Sequence, residues 1–102
     1  MNQDIYTIDE IKEKLTPIFQ AAPIEKAILF GSYAKGLQTS KSDVDIVIDS
    51  KGVLVNINFF GVLEDICVCL DKRIDLLEMS EIHDDSPIMR TILHEGVVLY
   101  ER

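Results

Sequence analysis

The stretch LFGSYAKGLQTSKSDVDIVID, residues 29–49, is the most informative about the fold, because two strand patterns of different kind meet there across a sharp break. Residues 26–30 are a short apolar run that predicts a buried strand, and a Gly-Ser pair at 31–32 interrupts it directly. Residues 33–42 are small and polar and predict a flexible segment. In residues 43–49 acidic and apolar side chains alternate, which predicts a strand with one buried face and one open face that carries carboxylates.

On both sides of this stretch, helical and strand patterns alternate along the chain. Thr7 followed by Glu10 predicts a capping box for a first helix, which Pro17 is expected to kink or restart and Pro23 to end. The further predicted elements are a helix over residues 56–70, a strand over 73–78, a helix from Ser86-Pro87 to Gly96, and a strand over 97–100.

This order of elements predicts an α/β fold class, built on a single β-sheet. A length of 102 residues is that of one domain, so residues 1–102 are interpreted as one unit. Strands coated by helices on both faces would be apolar throughout. The alternation in residues 43–49 therefore predicts helices on one face of the sheet only.

Composition excludes several classes of function. The formal net charge of -8 lies mainly in the second half of the chain, and no Lys/Arg cluster offsets it, which disfavours nucleic acid as the main partner. No apolar run approaches the roughly 20 residues that span a membrane. The acidic N-terminus does not resemble a signal peptide, so the expected location is cytoplasmic. Cys67 and Cys69 are expected to be reduced thiols on a helix, one or both of them buried.

Asp43 and Asp45 are the candidate metal-binding pair. Residues at i and i+2 of a strand share a face, so both carboxylates could reach the same hard cations, and Mg²⁺ is usually held by one or two carboxylates plus substrate phosphates. Asp75, on the later strand, is the candidate third carboxylate. Taken alone, an Asp-x-Asp pair is most often a solvated face and Asp75 a strand-edge charge.

The break at Gly31 and Ser32 is the candidate phosphate-binding turn. A glycine at a strand end lets the backbone approach a ligand closely, and Ser32 adds a hydroxyl where a short helix could begin. Lys35 follows one turn later and could reach a triphosphate as a point charge, although a single lysine is more commonly a plain surface residue.

The spacing Gly31-Ser32-x10-Asp43-x-Asp45 resembles the signature of the nucleotidyltransferase superfamily that includes DNA polymerase beta. The longer run 29–49 is similar to the minimal nucleotidyltransferase (MNT) antitoxins that are paired with HEPN toxins. The similarity extends to FFGVLEDICVCLDKRIDLLE and PIMRTILHEGVVLY, and so covers nearly the whole chain.

The resemblance implies a single mixed β-sheet of the polymerase beta-like palm fold and a magnesium-dependent reaction. Asp43 and Asp45 would bind two magnesium ions, and Asp75 would bind one of them and assist deprotonation of the acceptor hydroxyl. Gly31 and Ser32 would hold the phosphates of ATP; at Lys35 the family often has Arg, so bidentate geometry is lost there. The implied reaction is transfer of AMP from ATP to a tyrosine of a HEPN-type RNase toxin.

Two alternatives remain open at this point. The chain could neutralise its partner by binding alone, with a vestigial nucleotide site. It could also be a small-molecule adenylyltransferase, although such enzymes carry an extra helical domain for the acceptor, and here only about 57 residues follow Asp45.

Overall fold

The computed structural model describes residues 4–102, in which four helices and four strands alternate along the chain. In chain order the elements are α1 (Ile8–Ala21), β1 (Lys26–Phe30), α2 (Ser32–Lys35), β2 (Val44–Asp49), α3 (Asn56–Leu70), β3 (Ile74–Glu78), a 3₁₀ turn (Met79–Glu81), α4 (Pro87–Glu95) and β4 (Val97–Glu101). Within this described range, no helix is both long and apolar enough to cross a lipid bilayer.

The four strands form one mixed sheet, as the predicted fold class requires. Their order is β3-β2-β1-β4, with β1 antiparallel to both β2 and β4 and with β2 parallel to β3. The register pairs Phe30 with Asp45 and Asp45 with Asp75. Residues that lie far apart in the chain are thereby brought side by side at one end of the sheet.

One face of the sheet is covered by α1 and α3. Alternate residues of the strands, such as Leu29 on β1 and Ile46 on β2, are fully buried under these helices. The helices contribute six buried side chains to this core: Ile11, Leu15 and Phe19 from α1, and Val62, Ile66 and Leu70 from α3. The apolar residues of the alternating pattern in 43–49 therefore do face a buried core, as the sequence predicts.

The second face is not bare, which corrects the expectation that helices lie on one face only. Ile92 of α4 is 2% exposed and packs in a smaller cluster with Ile28, Phe30 and Val47. The reason lies in β1, whose residues are apolar on both faces and therefore need cover on both. The coverage stops short of the carboxylates, since Asp45 is partly exposed and Asp75 is exposed.

The helix ends follow local signals in the sequence. Thr7 and Glu10 exchange hydrogen bonds with each other's backbone N–H groups in a complete capping box. Pro17 does not end α1, which runs on to Ala21 because Phe19 beyond it is fully buried in the core. Ser86 caps α4 with Pro87 in the first turn, as the sequence predicts.

Candidate active site

Asp45 and Asp75 are direct neighbours across the parallel pair of β2 and β3. Both side chains point to the second face of the sheet, on the opposite side from the buried Ile46 and Leu76. Asp43 lies one residue before the first residue of β2 and, two residues from Asp45, belongs to the same alternation. The structure thus assembles the three carboxylates that the sequence singled out at one end of the sheet.

Burial and the crowding of these groups shift the pKa of the Asp45 carboxyl group. Burial of its carboxyl group, followed in importance by the charges of Asp75 and then Asp43, raises the pKa of Asp45 from 3.8 to about 6. A hydrogen bond between the carboxyl groups of Asp45 and Asp75 acts in the same direction. The folded site therefore disfavours the ionised form of Asp45, a cost that a bound cation would offset.

Gly31 forms the wall opposite Asp45. Its φ of 73° and ψ of -152° lie in a region that L side chains rarely adopt. A Cβ atom at this position would lie 3.1 Å from Asp45 Cγ and would collide with Asp45 Oδ2. Glycine is therefore required here, because the backbone of the turn runs directly against the carboxylate.

The short helix α2 begins at Ser32 immediately after this turn. Gly31 at the cap position has no side chain, so no side-chain hydrogen bond occupies the start of the helix. Gly36 ends α2 in the left-handed conformation, with φ of 73° and ψ of 20°. The backbone at Gly31 and Ser32 is thus held sharply folded next to the carboxylates.

Lys35 lies on α2 but is engaged elsewhere. Its Nζ is 3.1 Å from Oε2 of Glu95 at the end of α4, and the two side chains are 44% and 40% exposed. The ion pair is solvated, and such pairs contribute about 0–1 kcal/mol, so it would not prevent Lys35 from turning towards a phosphate. No local pattern predicts Glu95 as the partner of Lys35, because the two residues are 60 positions apart.

Lys72 is a second residue that sequence reasoning missed. Its side chain is buried, with the residue 3% exposed, and Nζ lies 3.0 Å from the carbonyl oxygen of Ser40. A lysine between a helix and a strand normally predicts a surface position. No local signal in the sequence distinguishes Lys72 from its exposed neighbours Asp71 and Arg73.

The donor set fits a hard divalent cation, although it does not form a complete protein cage. Among residues 4–102, no three His, Cys, Asp or Glu side chains are grouped closely enough to hold a metal ion by themselves. Mg²⁺ rarely uses such a cage and normally completes its octahedral shell with water and substrate phosphates. The excess negative charge at Asp45 is what a cation would neutralise.

Comparison with known proteins gives a family match over most of the chain. Residues 13–102 match the nucleotidyltransferase family described as polymerase beta. A relative from Methanocaldococcus jannaschii, whose name is that of a predicted protein adenylyltransferase, is 35% identical over 94 residues, covering 88% of this chain and 95% of the relative. The protein adenylyltransferase MntA of Thermococcus cleftensis is 30% identical over 95 residues, covering 89% and 94%.

Solved structures share the fold at low sequence identity. A chain of a toxin–antitoxin crystal structure with AMP-PNP superposes with a TM-score of 0.77 at 22% identity, covering 89% of this chain and 73% of that chain. A chain of the complex between tri-AMPylated Shewanella oneidensis HEPN toxin and its MNT antitoxin gives a TM-score of 0.72 at 18% identity, covering 94% and 74%. These structures show that the four-stranded sheet and its helices are those of polymerase beta-like nucleotidyltransferases.

Proposed function

The chain belongs to the polymerase beta nucleotidyltransferase family, and from that membership we propose that it transfers AMP from ATP to a tyrosine hydroxyl of a partner HEPN-type toxin, as the antitoxin of a toxin–antitoxin pair. The observation that carries the chemistry is the pairing of Asp45 with Asp75 against the backbone of Gly31. The names of the protein adenylyltransferase relatives and the AMPylated toxin complex support a protein as acceptor.

In the proposed reaction the tyrosine oxygen attacks the α-phosphorus of ATP, the bond between the α- and β-phosphates breaks, and pyrophosphate leaves. Asp43 and Asp45 would hold two magnesium ions, and Asp75 would hold one of them. When bound, this pair of cations would stabilise the charge on the attacking and leaving oxygens. Asp75 is exposed, so its carboxylate can take up the proton that the tyrosine hydroxyl loses.

The turn at Gly31 and Ser32 would hold the phosphates of ATP. Its backbone runs against Asp45, so a phosphate bound there would lie next to the carboxylates and within reach of the same cations. Lys35 would leave Glu95 and add one positive charge to the triphosphate. ATP is thus proposed as substrate and Mg²⁺ as the resident cation.

The test is AMP transfer with the HEPN-type partner. The purified chain is incubated with Mg²⁺, ATP labelled on the α-phosphate, and the partner, and the labelled residue is located by mass spectrometry. We expect label on a tyrosine of the partner and at least a hundredfold lower rate for the double variant Asp43→Asn, Asp45→Asn, since electrostatic groups of this kind typically contribute about 10²–10³ to a rate. No label with the wild-type chain would contradict the proposal.

The same double variant separates catalysis from neutralisation by binding alone. Replacement of both carboxylates removes the proposed metal ligands while the buried face of β2 keeps its packing. An antitoxin that acts by transfer would lose neutralisation of the toxin, whereas one that acts by occlusion would retain it in full.

A further inference from the structure

Lys72 is a buried charged residue that the proposed reaction does not use. Within residues 4–102 the buried polar or charged side chains are Ser50, Lys72 and Glu78, and the first and last of these hydrogen-bond to each other. Lys72 forms no ion pair with any described carboxylate, and its ammonium group donates to the carbonyl oxygen of Ser40 at 3.0 Å. Burial of an ammonium group is costly, so its placement calls for a reason.

The position of Lys72 gives that reason. Val44 donates its N–H to the carbonyl oxygen of Arg73 at 3.0 Å, which ties the residue after Asp43 to the backbone next to Lys72. Ser40, three residues before Asp43, is tied to the side chain of Lys72 itself. The chain is therefore hydrogen-bonded to Lys72 and Arg73 on both sides of Asp43. Asp43 itself lies outside the regular strand, which begins at Val44.

The segment that Lys72 holds has few other attachments. The remaining hydrogen bonds of residues 38–42 in the described chain stay within the segment, joining Thr39, Lys41 and Ser42 in a small turn. Such a turn keeps its own shape but does not fix its place relative to the sheet. The bond from Lys72 supplies that link, and a hydrogen bond with a charged partner is worth about twice a neutral one.

Lys72 itself is rigidly placed. Asp71 before it ends α3 in the left-handed conformation, with φ of 50° and ψ of 45°, and donates its N–H to the carbonyl oxygen of Cys67 at 2.8 Å. Two residues after Lys72, β3 begins at Ile74 and continues to Asp75. The anchor of the loop and the third carboxylate are thus carried by the same short stretch of chain.

We propose that Lys72 is a positioning residue that fixes the segment before β2 so that Asp43 reaches the same cations as Asp45 and Asp75. This rests on the proposed function, because it concerns the geometry of that site. Lys72 does not touch the nucleotide; it acts through the carbonyl oxygen of Ser40 and the backbone that follows. Loss of its ammonium group should weaken metal binding and slow transfer without unfolding the protein.

The test compares Lys72→Met, which removes the charge and the donor and is one atom shorter than lysine, with Lys72→Arg, which keeps a charged donor. Ser40→Ala and Lys41→Met are matched controls in the same loop, since the first keeps the accepting carbonyl and the second changes an exposed side chain. With saturating ATP we expect Lys72→Met to lower kcat at least tenfold and to raise the Mg²⁺ concentration for half-maximal rate, with partial rescue by Lys72→Arg. The KM for ATP should change less than kcat.

Two measurements do not depend on turnover and separate this inference from the proposed function. Hydrogen exchange of the Val44 amide, which donates to the carbonyl oxygen of Arg73 and so reports how firmly the segment is held to this stretch, should be at least fivefold faster in Lys72→Met, with α1 unchanged, and Mn²⁺ should bind about tenfold more weakly. Exchange and Mn²⁺ affinity within twofold of wild type would overturn the inference even if the chain transfers AMP. If Lys72→Met does not fold, Lys72→Leu, which likewise has no charge and no hydrogen-bond donor, replaces it with the same expected results.

Discussion

At the scale of single residues, the carboxyl group of Asp45 affects both the stability of the fold and the proposed cation site. Burial and the neighbouring Asp75 and Asp43 raise its pKa to about 6, so the folded protein holds this proton more tightly than the unfolded chain. The folded state therefore loses stability as the pH rises from about 4 to about 6, and the cost of ionising Asp45 is fully present above that range. Below about pH 4 both states are protonated and the cost vanishes.

Replacement of Asp45 by Asn should consequently stabilise the metal-free protein at pH 7.5 but not at pH 4. The shift to about 6 corresponds to at most about 3 kcal/mol, and solvent screening at this partly exposed site lowers the expected gain to about 1 kcal/mol. Urea unfolding in the presence of EDTA at the two pH values measures it. Asp49→Asn is the matched control, because Asp49 shares the strand and the face but pairs with Lys51 at 3.2 Å.

The two variants should respond in opposite directions at pH 7.5. Asp45→Asn removes repulsion, whereas Asp49→Asn removes an attraction. A variant Asp45→Asn that is less stable than wild type at pH 7.5 would show that burial and the neighbouring carboxylates do not make the ionised Asp45 costly in the folded protein. That result would also weaken the case for a cation at this position.

At the scale of elements, β3 carries a proposed site residue near one end and a buried structural carboxylate at the other. Asp75 faces Asp45 near one end, and Glu78 faces Ile48 at the other. Glu78 is 3% exposed and accepts hydrogen bonds from the N–H and the hydroxyl group of Ser50 and, at 3.0 Å, from the N–H of Ser80. The buried carboxylate therefore ties the end of β2 to the turn after β3.

Glu78→Ala should destabilise the protein strongly while leaving the chemistry intact. It leaves the donors of Ser50 and Ser80 without their acceptor, and unmade hydrogen bonds to a charged group cost about 2–4 kcal/mol in total. The kcat for AMP transfer, measured well below the unfolding temperature, should stay within about twofold of wild type. Glu78→Gln, which keeps an acceptor oxygen, should lower the free energy of unfolding by roughly half as much. An equal loss in both variants would mean that the hydrogen bonds accepted by Glu78 do not stabilise the protein.

The elements also show what the sequence could predict and why. The bounds of β1, α3 and β3 follow from local periodicity, which is why residues 26–30 and 56–70 match the observed elements. The common face of Asp45 and Asp75 follows from period-2 alternation once both strands are recognised. The catalytic roles of these residues remain predictions.

Features that depend on contacts between distant segments were beyond the sequence patterns. The docking of α4 on the second face depends on Ile28 and Phe30, which look like any other apolar strand residues before the sheet is assembled. The prediction that one or both cysteines of α3 are buried is wrong, since Cys69 is exposed and Cys67 is only partly buried. Lys72 is buried because the loop from Ser40 folds over it, a contact across 32 positions that no local signal announces.

At the scale of the whole molecule, net charge sets a condition on function. A chain of formal charge -8 repels a triphosphate, so cations that reduce the negative charge at the site should favour the approach of ATP. The charge also means that any added salt stabilises the folded state to some degree by screening repulsion between its acidic side chains. A specific effect of Mg²⁺ must therefore be measured against NaCl of equal ionic strength.

Mg²⁺ should raise the unfolding temperature more than NaCl does, because a cation that binds only the folded state adds RT ln(1 + [Mg²⁺]/Kd) to stability. At ten times its Kd this is about 1.4 kcal/mol, which corresponds to roughly 5–10 °C for a domain of this size. Differential scanning calorimetry on the wild type and on the double variant Asp43→Asn, Asp45→Asn measures the difference. The variant should respond equally to both salts, since only unspecific screening remains. An equal Mg²⁺-specific rise in the two proteins would place the cation elsewhere on the acidic surface, and the carboxylates at the end of β2 would then lose their proposed role.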